Sequence, residues 1–183
     1  MITREESFKM VNEYVKNENL VNHMIAVGAI MKDLANKFGE DQELWEAVGL
    51  LHDVDYETFG EDFSKHGAVS AEMVKHLLPE EGVNAILSHN ELTGNKAETR
   101  FEVSLLAADA ISGIIVANAL VRPQKMTGMK AKSIRKRMKD KSFARQVSRE
   151  NILRCEEIGL AFNEFAQIAI NAMSNVANEI GLS

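Results

Sequence analysis

The sequence contains one cysteine, two prolines and few aromatic residues (6%). A single cysteine, Cys155, excludes an internal disulfide framework, so we expect a reducing, cytoplasmic location. No histidine stands near Cys155 in the sequence, which favours a structural thiol over a nucleophile. The prolines, Pro79 and Pro123, fall where helices are expected to begin and end, so neither predicts a break inside a helix.

Long uninterrupted apolar runs are absent as well. The longest, residues 101–121, is interrupted by Glu102 and Asp109, which favours a buried core helix over a membrane span. The first residues lack the basic-then-apolar pattern of a signal peptide, so we expect neither export nor membrane insertion. A glycine-rich phosphate loop is missing, because Gly28, Gly49 and Gly113 are isolated within predicted helices.

Strand-like alternation is absent too, and helical periodicity dominates the chain. With 183 residues, 45% of them hydrophobic and 26% charged, we predict one soluble all-α domain, a helical bundle over residues 1–183. The predicted helices cover residues 3–16, 19–38, 41–52, 66–78, 79–89, 101–121, 131–140, 149–158 and 162–180.

The net charge of -6 conceals a strongly basic segment. Residues 122–149 contain eleven lysines and arginines against one acidic residue, Asp140, whereas the rest of the chain is acidic. Such a segment can attract phosphate, or it can be a solvated face that complements the acidic remainder. Nucleic acid is a less favoured partner, because Phe143 is the segment's one aromatic residue and offers no stacking platform.

Metal-ligating residues occur at unusual positions within this apolar background. His52 and Asp53 directly follow the apolar stretch that ends at Leu51. His23 shares an apolar helical stripe, and Asp109 lies in the middle of the most apolar helix. A buried carboxylate without a partner costs several kcal/mol, so Asp109 requires a cation, a donor network or a metal. The pattern predicts a metal site between helices.

The remaining histidines divide by helical face. His66 and His89 are predicted to point inward, whereas His76 shares a face with Glu72 and should be exposed. Any one inward histidine is more often a hydrogen-bonded core residue than a ligand. That interpretation weakens when four inward histidines accompany two carboxylates. Imidazole and carboxylate donors suit Mn, Fe, Co, Ni or Zn without choosing among them.

The order His23, then His52-Asp53, then Asp109 resembles the HD-domain superfamily of metal-dependent phosphohydrolases. More narrowly, the chain is similar to small stand-alone HDIG-type proteins through Leu50-Leu-His-Asp, His66-Gly and Ser88-His-Asn-Glu, although Val54-Asp55 replaces the motif's final Ile-Gly. The resemblance covers about residues 18–121. It leaves the basic segment 122–149 and the predicted C-terminal helices of residues 150–181 outside.

The resemblance implies a ligand set. One metal would be held by His23, His52, Asp53 and Asp109, with His52 and Asp53 as the catalytic pair. His66 and His89 fall where dinuclear members bind a second ion, and Asp53 would bridge the two ions. The implied cofactor is therefore one or two divalent transition-metal ions.

The implied activity is hydrolysis of a small phosphorylated molecule, such as a nucleotide or cyclic nucleotide, by metal-activated water. Residues 122–149 are the candidates for substrate binding, and a homodimer is possible through the last helix. Two alternatives stay open: a di-iron oxygenase of the same superfamily, and a nucleotide-sensing module without turnover. Asp55, Tyr56, Glu57 and Lys65 are either residues next to the metal site or ordinary loop residues.

Overall fold

The computed structural model describes residues 2–183, which form nine α-helices and no strand. The predicted all-α class is confirmed. The helices are α1 (Arg4–Tyr14), α2 (Glu18–Phe38), α3 (Gln42–Leu51), α4 (Ala68–Val74), α5 (Glu80–Ser88), α6 (Arg100–Leu120), α7 (Ala131–Lys139), α8 (Arg149–Leu153) and α9 (Phe162–Asn175). Two 3₁₀ turns, Glu91–Thr93 and Arg154–Glu156, follow α5 and α8.

Local sequence signals set several helix ends. Thr3 and Glu6 form a capping box at the start of α1, and Thr99 and Glu102 form another at the start of α6. Gly39 ends α2 in the left-handed conformation, with φ of 73°. These caps satisfy the backbone groups that a helix end leaves without partners, which explains why α1, α2 and α6 lie close to their predicted ranges.

Three helices are shorter than the periodicity predicts. Helix α8 ends at Leu153, where a 3₁₀ turn follows it, rather than at residue 158, and α4 ends at Val74 rather than at residue 78. The predicted helix from residue 66 begins at Ala68, because Gly67 has φ of 84°, outside the helical region. The last helix ends at Asn175 rather than at residue 180. Turns after Asn175 bury Ile180 and Leu182, so tertiary packing overrides the helical pattern there.

The core is organised around α6, which packs against α2, α3, α5, α7, α8 and α9. Leu105, Leu106, Ile111 and Ile114 on α6 are almost fully buried. This helix is long and apolar enough to cross a membrane by length and composition, but two thirds (67%) of its most apolar window is buried inside the fold. The helix is therefore the central core element of the structure, and its apolar character is explained by packing.

Cys155 is expected to be chemically inert in the folded protein. Its side chain is fully buried, and burial raises the pKa of the thiol to about 11. Because the thiolate is the reactive form, iodoacetamide at mildly alkaline pH should leave native protein unlabelled and should label it fully in concentrated guanidinium. Mass spectrometry measures this directly. Labelling of native protein at the rate of a free thiol would contradict the burial.

Candidate metal centre

The fold brings the six candidate ligands together, although 86 residues separate the first from the last. Each of the four histidines lies with its Nε2 atom close to the carboxylate of Asp53. The six residues are His23 in α2, His52 and Asp53 directly after α3, His66 before α4, His89 directly after α5, and Asp109 in α6.

Asp53 is the centre of this cluster. Its Oδ1 atom lies 3.3 Å from Nε2 of His52, 3.3 Å from Nε2 of His66 and 3.4 Å from Nε2 of His89. Its Oδ2 atom lies 3.6 Å from Nε2 of His23. Three histidines therefore face one carboxylate oxygen of Asp53, and the fourth faces the other.

Helix ends orient two of the histidines. His52 and His89 each stand directly after a helix, and each ring's Nδ1 atom contacts the backbone carbonyl three residues earlier, 2.8 Å to Gly49 and 2.5 Å to Ile86. Carbonyls in the last turn of a helix have no partner within the helix, so they are free to accept a ring N–H. With Nδ1 donating to a carbonyl, Nε2 is the atom that each ring directs at the cluster.

A carboxylate orients His66 through the ring nitrogen that faces away from the cluster. Asp55 has no exposed surface, and its Oδ1 atom accepts a hydrogen bond from Nδ1 of His66 at 2.8 Å. Its Oδ2 atom accepts from the backbone N–H groups of Gly67 and Ser70 at 2.8 and 3.0 Å. Burial raises the pKa of Asp55, but these donors outweigh it and lower the pKa overall.

A hydroxyl group orients His23. The Ser112 hydroxyl donates to the backbone carbonyl of Asp109 at 2.8 Å, so its oxygen accepts from Nδ1 of His23 at 3.1 Å. Nε2 of His23 then faces Oδ1 of Asp109 at 3.1 Å. All four histidines thus have Nδ1 fixed by a protein group and Nε2 directed inward, which is the usual arrangement of metal-ligating imidazoles.

One ring atom in the cluster has no hydrogen-bond partner. Nε2 of His52 is buried and unpaired among residues 2–183. Burial lowers the pKa of His52 to about 4, so the ring is neutral at neutral pH. A buried acceptor without a donor is costly, and a metal ion would use its lone pair. This observation shows that the donor set fits a metal.

The charges around the cluster support the same fit. Burial would raise the pKa values of Asp53 and Asp109, but the neighbouring histidines outweigh burial and hold both carboxylates ionised. Burial would lower the pKa of His89, but the Asp53 carboxylate outweighs it and raises that pKa to about 9. Two triads meet the distances that one ion requires: His23 with His52 and Asp109, and His52 with Asp53 and His89.

Asp109 is less buried than its apolar helix predicts. Its side chain retains 35% of its exposure, because α6 presents it at the mouth of a cavity of about 440 Å³. We call this the acidic cavity. Its lining includes His66, His89, Asp109, Glu91, Glu150 and Ser148. A ligand at the cluster is therefore accessible from solvent.

The basic segment makes limited contact with the acidic cavity. Ser148 is the segment's one residue in the lining of that cavity, which contains no lysine or arginine from residues 2–183. Arg149 donates instead to backbone carbonyls of Asp140, Phe143, Ala144 and Val147. A role for residues 122–149 in substrate binding stays a prediction.

The remaining histidine and three of the candidate loop residues lie at or near the protein surface. His76 is exposed, as predicted. Tyr56 is 45% exposed and its ring packs edge-on against His66, with centroids 5.2 Å apart. Glu57 accepts a hydrogen bond from the backbone of Lys16, and Lys65 pairs with Asp62 at the surface.

The groups that orient the histidines cannot be assigned from the sequence. The sequence leaves Asp55 between two interpretations and does not identify Ser112. The spacing of Asp55, two residues after Asp53, places a second carboxylate near the site but does not show which ring it contacts. Ser112 follows Asp109 by three residues on the same helical face, a weak signal without its partner in α2.

Comparison with known proteins assigns the family. The family model described as "HD domain" matches residues 20–119, more than half of the chain. The protein belongs to the HD domain family, and the resemblance to this superfamily of metal-dependent phosphohydrolases is confirmed. The match spans α2 to α6, the helices that carry or flank all six candidate ligands.

Among curated proteins, the chain is similar to ribonuclease Y of Fusobacterium nucleatum (33% identity over 97 residues) and of Enterococcus faecalis (34% over 96 residues). It is also similar to ribonuclease Y 1 of Pediococcus pentosaceus (32% over 96 residues). Each match covers 52% of this chain and 18% of the relative. No solved structure matches the chain significantly.

Replacing Asp55 with asparagine is expected to weaken metal binding tenfold to a hundredfold, a typical cost of losing an outer partner of a ligand. The asparagine would retain the size of the side chain, but it would lose the negative charge that accepts the hydrogen bonds from His66, Gly67 and Ser70. Titration with Mn²⁺ followed by calorimetry measures the effect.

Asp62→Asn is the matched control, because Asp62 is an exposed carboxylate that caps Ser64 in the same loop. Its affinity for Mn²⁺ should equal that of the wild type. Equal affinity in the Asp55→Asn variant would instead show that Asp55 has only a structural role.

Proposed function

We propose that the protein is a metal-dependent phosphohydrolase that acts on a small phosphorylated molecule, such as a nucleotide or cyclic nucleotide. The observation that carries the proposal is the convergence of four Nε2 atoms on the Asp53 carboxylate, with every Nδ1 atom held by another protein group. A site with donors fixed in this way binds a divalent ion without reorganisation. Family membership supports hydrolysis, since members are generally metal-dependent hydrolases.

The proposed ligands are His23, His52, Asp53, His66, His89 and Asp109, holding one or two ions of Mn, Fe, Co, Ni or Zn. Bound ions of this kind lower the pKa of water to about 7 and polarise a phosphoryl oxygen. The buried ligands, His52, Asp53 and His89, form the inner part of the site. Asp109 and His23 form its more accessible part, with 35% and 24% of their side chains exposed.

The residues of this chain do three things in the proposed reaction. The backbone carbonyls of Gly49 and Ile86 accept from Nδ1 of His52 and His89, so Nε2 is the atom that each ring would offer to an ion. Asp55 does the same for His66. His89 would give up its Nε2 proton when the ion binds, because its pKa is raised to about 9. Asp53 and Asp109 stay ionised and contribute the negative charge that holds a divalent ion near a phosphate dianion.

The similarity to ribonuclease Y proteins adds RNA, a polymeric phosphodiester, to the candidate substrates. That similarity covers only 18% of those relatives, so their whole activity does not transfer. The acidic cavity carries Glu91 and Glu150 beside Asp109, which disfavours a long polyanion at the cluster. A small phosphate ester therefore remains the preferred substrate.

The test incubates Mn²⁺-loaded protein with nucleoside monophosphates, cyclic nucleotides, nucleoside triphosphates and sugar phosphates, and identifies the products by chromatography. Inorganic phosphate alone is not a sufficient readout, because opening a cyclic nucleotide leaves its phosphate on the product. Turnover of any member, lost on removal of the metal by a chelator, supports the proposal. Iron in the purified protein together with O₂ consumption on adding a substrate would point to an oxygenase instead. Binding of a nucleotide without formation of any hydrolysis product would point to a sensor.

A further inference from the structure

A second cavity adjoins the ligand cluster on the side of His23. It has a volume of about 500 Å³, within the usual range of small-molecule sites. We call it the apolar cavity. Its lining includes His23, Asn19 and Asn22 from α2, Val116 and Leu120 from α6, and Leu182. His23 thus belongs both to the candidate ligand cluster and to the wall of this cavity.

Positions along the two helices place the apolar cavity beside the cluster. Val116 follows Asp109 by seven residues on α6, a spacing that places both on one face of the helix. Asn19 precedes His23 by four residues on α2, again on one face. The apolar cavity therefore lies along α2 and α6 beside the cluster, with Val116 about 10 Å along α6 from Asp109. A molecule with a phosphate at the ligands has room for its remainder there.

The two cavities differ in charge. The lining of the apolar cavity contains no lysine, arginine, aspartate or glutamate from the described part of the chain, whereas the acidic cavity contains Glu91, Glu150 and Asp109. A second phosphate group would meet no cationic side chain in either place. The remainder of the substrate is therefore expected to be neutral, with apolar surface that Val116, Leu120 and Leu182 can cover.

Two amides give this cavity its polar character. The side chains of Asn19 and Asn22 line it, and each amide offers a carbonyl acceptor and an NH₂ donor. Asn19 is exposed and Asn22 is half-buried, so both are accessible to a ligand. Asparagine amides pair with the donor and acceptor edges of nucleobases. A flat heterocycle between aliphatic side chains, with its edge toward an amide, matches this lining.

One wall comes from outside the matched family region. Residues 180–182 line the cavity, whereas the family match ends at residue 119. Their position is fixed by the start of the basic segment: the backbone N–H of Met126 donates to the carbonyl of Leu182 at 3.3 Å, and Nζ of Lys125 donates to that of Gly181 at 3.0 Å. This wall is therefore a feature of this chain's own fold around a family metal site.

From these observations we infer that the apolar cavity binds the base of a nucleoside monophosphate whose single phosphate lies at the ligand cluster. The inference rests on the proposed function for the position of the phosphate. Asn19 and Asn22 contact the edge of the base, and Val116, Leu120 and Leu182 cover its faces. The cavity, rather than the metal centre, then selects the substrate.

The experiment compares nucleoside 5′-monophosphates with ribose 5-phosphate, which has the same phosphate and sugar without a base. With Mn²⁺-loaded wild type, kcat/KM for the best nucleotide should exceed that for ribose 5-phosphate by about a hundredfold. Two variants test the cavity: Asn22→Leu removes an amide at similar size, and Leu120→Trp fills the cavity from a side chain that is 67% exposed. Each should reduce the preference for nucleotide by about tenfold or more.

Asn12→Leu is the matched control, because it makes the same chemical change at an exposed position of α1 that lines neither cavity. It should leave the preference for nucleotide at the wild-type value. Release of phosphate from nucleotides and ribose 5-phosphate at equal efficiency, with no change in either cavity variant, would overturn the inference and leave the proposed hydrolase intact.

Calorimetry separates the two proposals if no ester is hydrolysed. Nucleoside monophosphates titrated into Mn²⁺-loaded protein should bind the wild type and Asn12→Leu equally. They should bind Asn22→Leu and Leu120→Trp at least about tenfold more weakly. That result would support the cavity site although hydrolysis had failed. Equal binding by all four proteins, or binding by none, would overturn it.

Discussion

Asp53→Ala is expected to lose bound metal and to reduce phosphate release by at least about a thousandfold. Asp53 contacts all four histidines, so its removal affects every ligand pair in the cluster at once. Loss of an outer partner alone costs tenfold to a hundredfold, and loss of a shared carboxylate should cost more. Metal content by mass spectrometry and phosphate release under saturating Mn²⁺ measure the two effects.

Two control variants distinguish this loss from general damage to the fold. Asp33→Ala removes a half-buried carboxylate that is on α2, ten residues or about 15 Å along the helix from His23. His76→Ala removes the exposed histidine. Both should retain metal and activity. Full metal content in Asp53→Ala, with its thermal unfolding unchanged, would refute the proposed ligand set.

Gly49→Ala is expected to destabilise the protein by about 3 kcal/mol or more and to weaken metal binding with it. A Cβ atom at Gly49 would lie 2.7 Å from Cα and 2.8 Å from the backbone nitrogen of Gly28, where α2 and α3 touch. Backbone atoms in a helix cannot move aside as the end of a side chain can, so the helices must separate. His23 and His52, carried by these helices, would then separate as well.

Gly113→Ala is the matched control, because Gly113 is also within a long helix. A Cβ atom there would meet only Cγ2 of Val147, at 2.9 Å. The side chain of Val147 can rotate, and alanine is the better helix former by about 0.5–1 kcal/mol. We expect a change of about 1 kcal/mol or less in the urea-derived free energy of unfolding. Equal losses in both variants would show that the contact between α2 and α3 is not special.

The location of the ligands is largely predictable from the sequence. His23, His52 and His89 share helical faces with apolar residues, and the hydrophobic effect buries those faces whatever the details of packing. The capping boxes at Thr3 and Thr99 likewise depend only on residues three apart. Local periodicity and local hydrogen bonds are properties that a sequence carries by itself.

The orientation of the ligands is not predictable in the same way. The partner of His66 is Asp55, eleven residues earlier, and the partner of His23 is Ser112, which is 89 residues later. Asp109 stands in the most apolar helix, which predicts deep burial, but it lies at the mouth of a cavity. Each of these facts depends on where two helices meet rather than on the composition of either helix.

The sequence by itself therefore determined the all-α class, most helix ends and the residue types at the candidate metal centre. Only the tertiary structure decided which ring nitrogen faces inward, which groups hold it, and that the apolar cavity borders the cluster at His23. The early end of α9, which allows residues 180–182 to form a wall of that cavity, is a further example. The physical reason is that short-range hydrogen bonds and periodic burial act within one helix. The orientation of the ligands and the position of the cavity depend instead on contacts between distant segments, whose geometry is set by close packing.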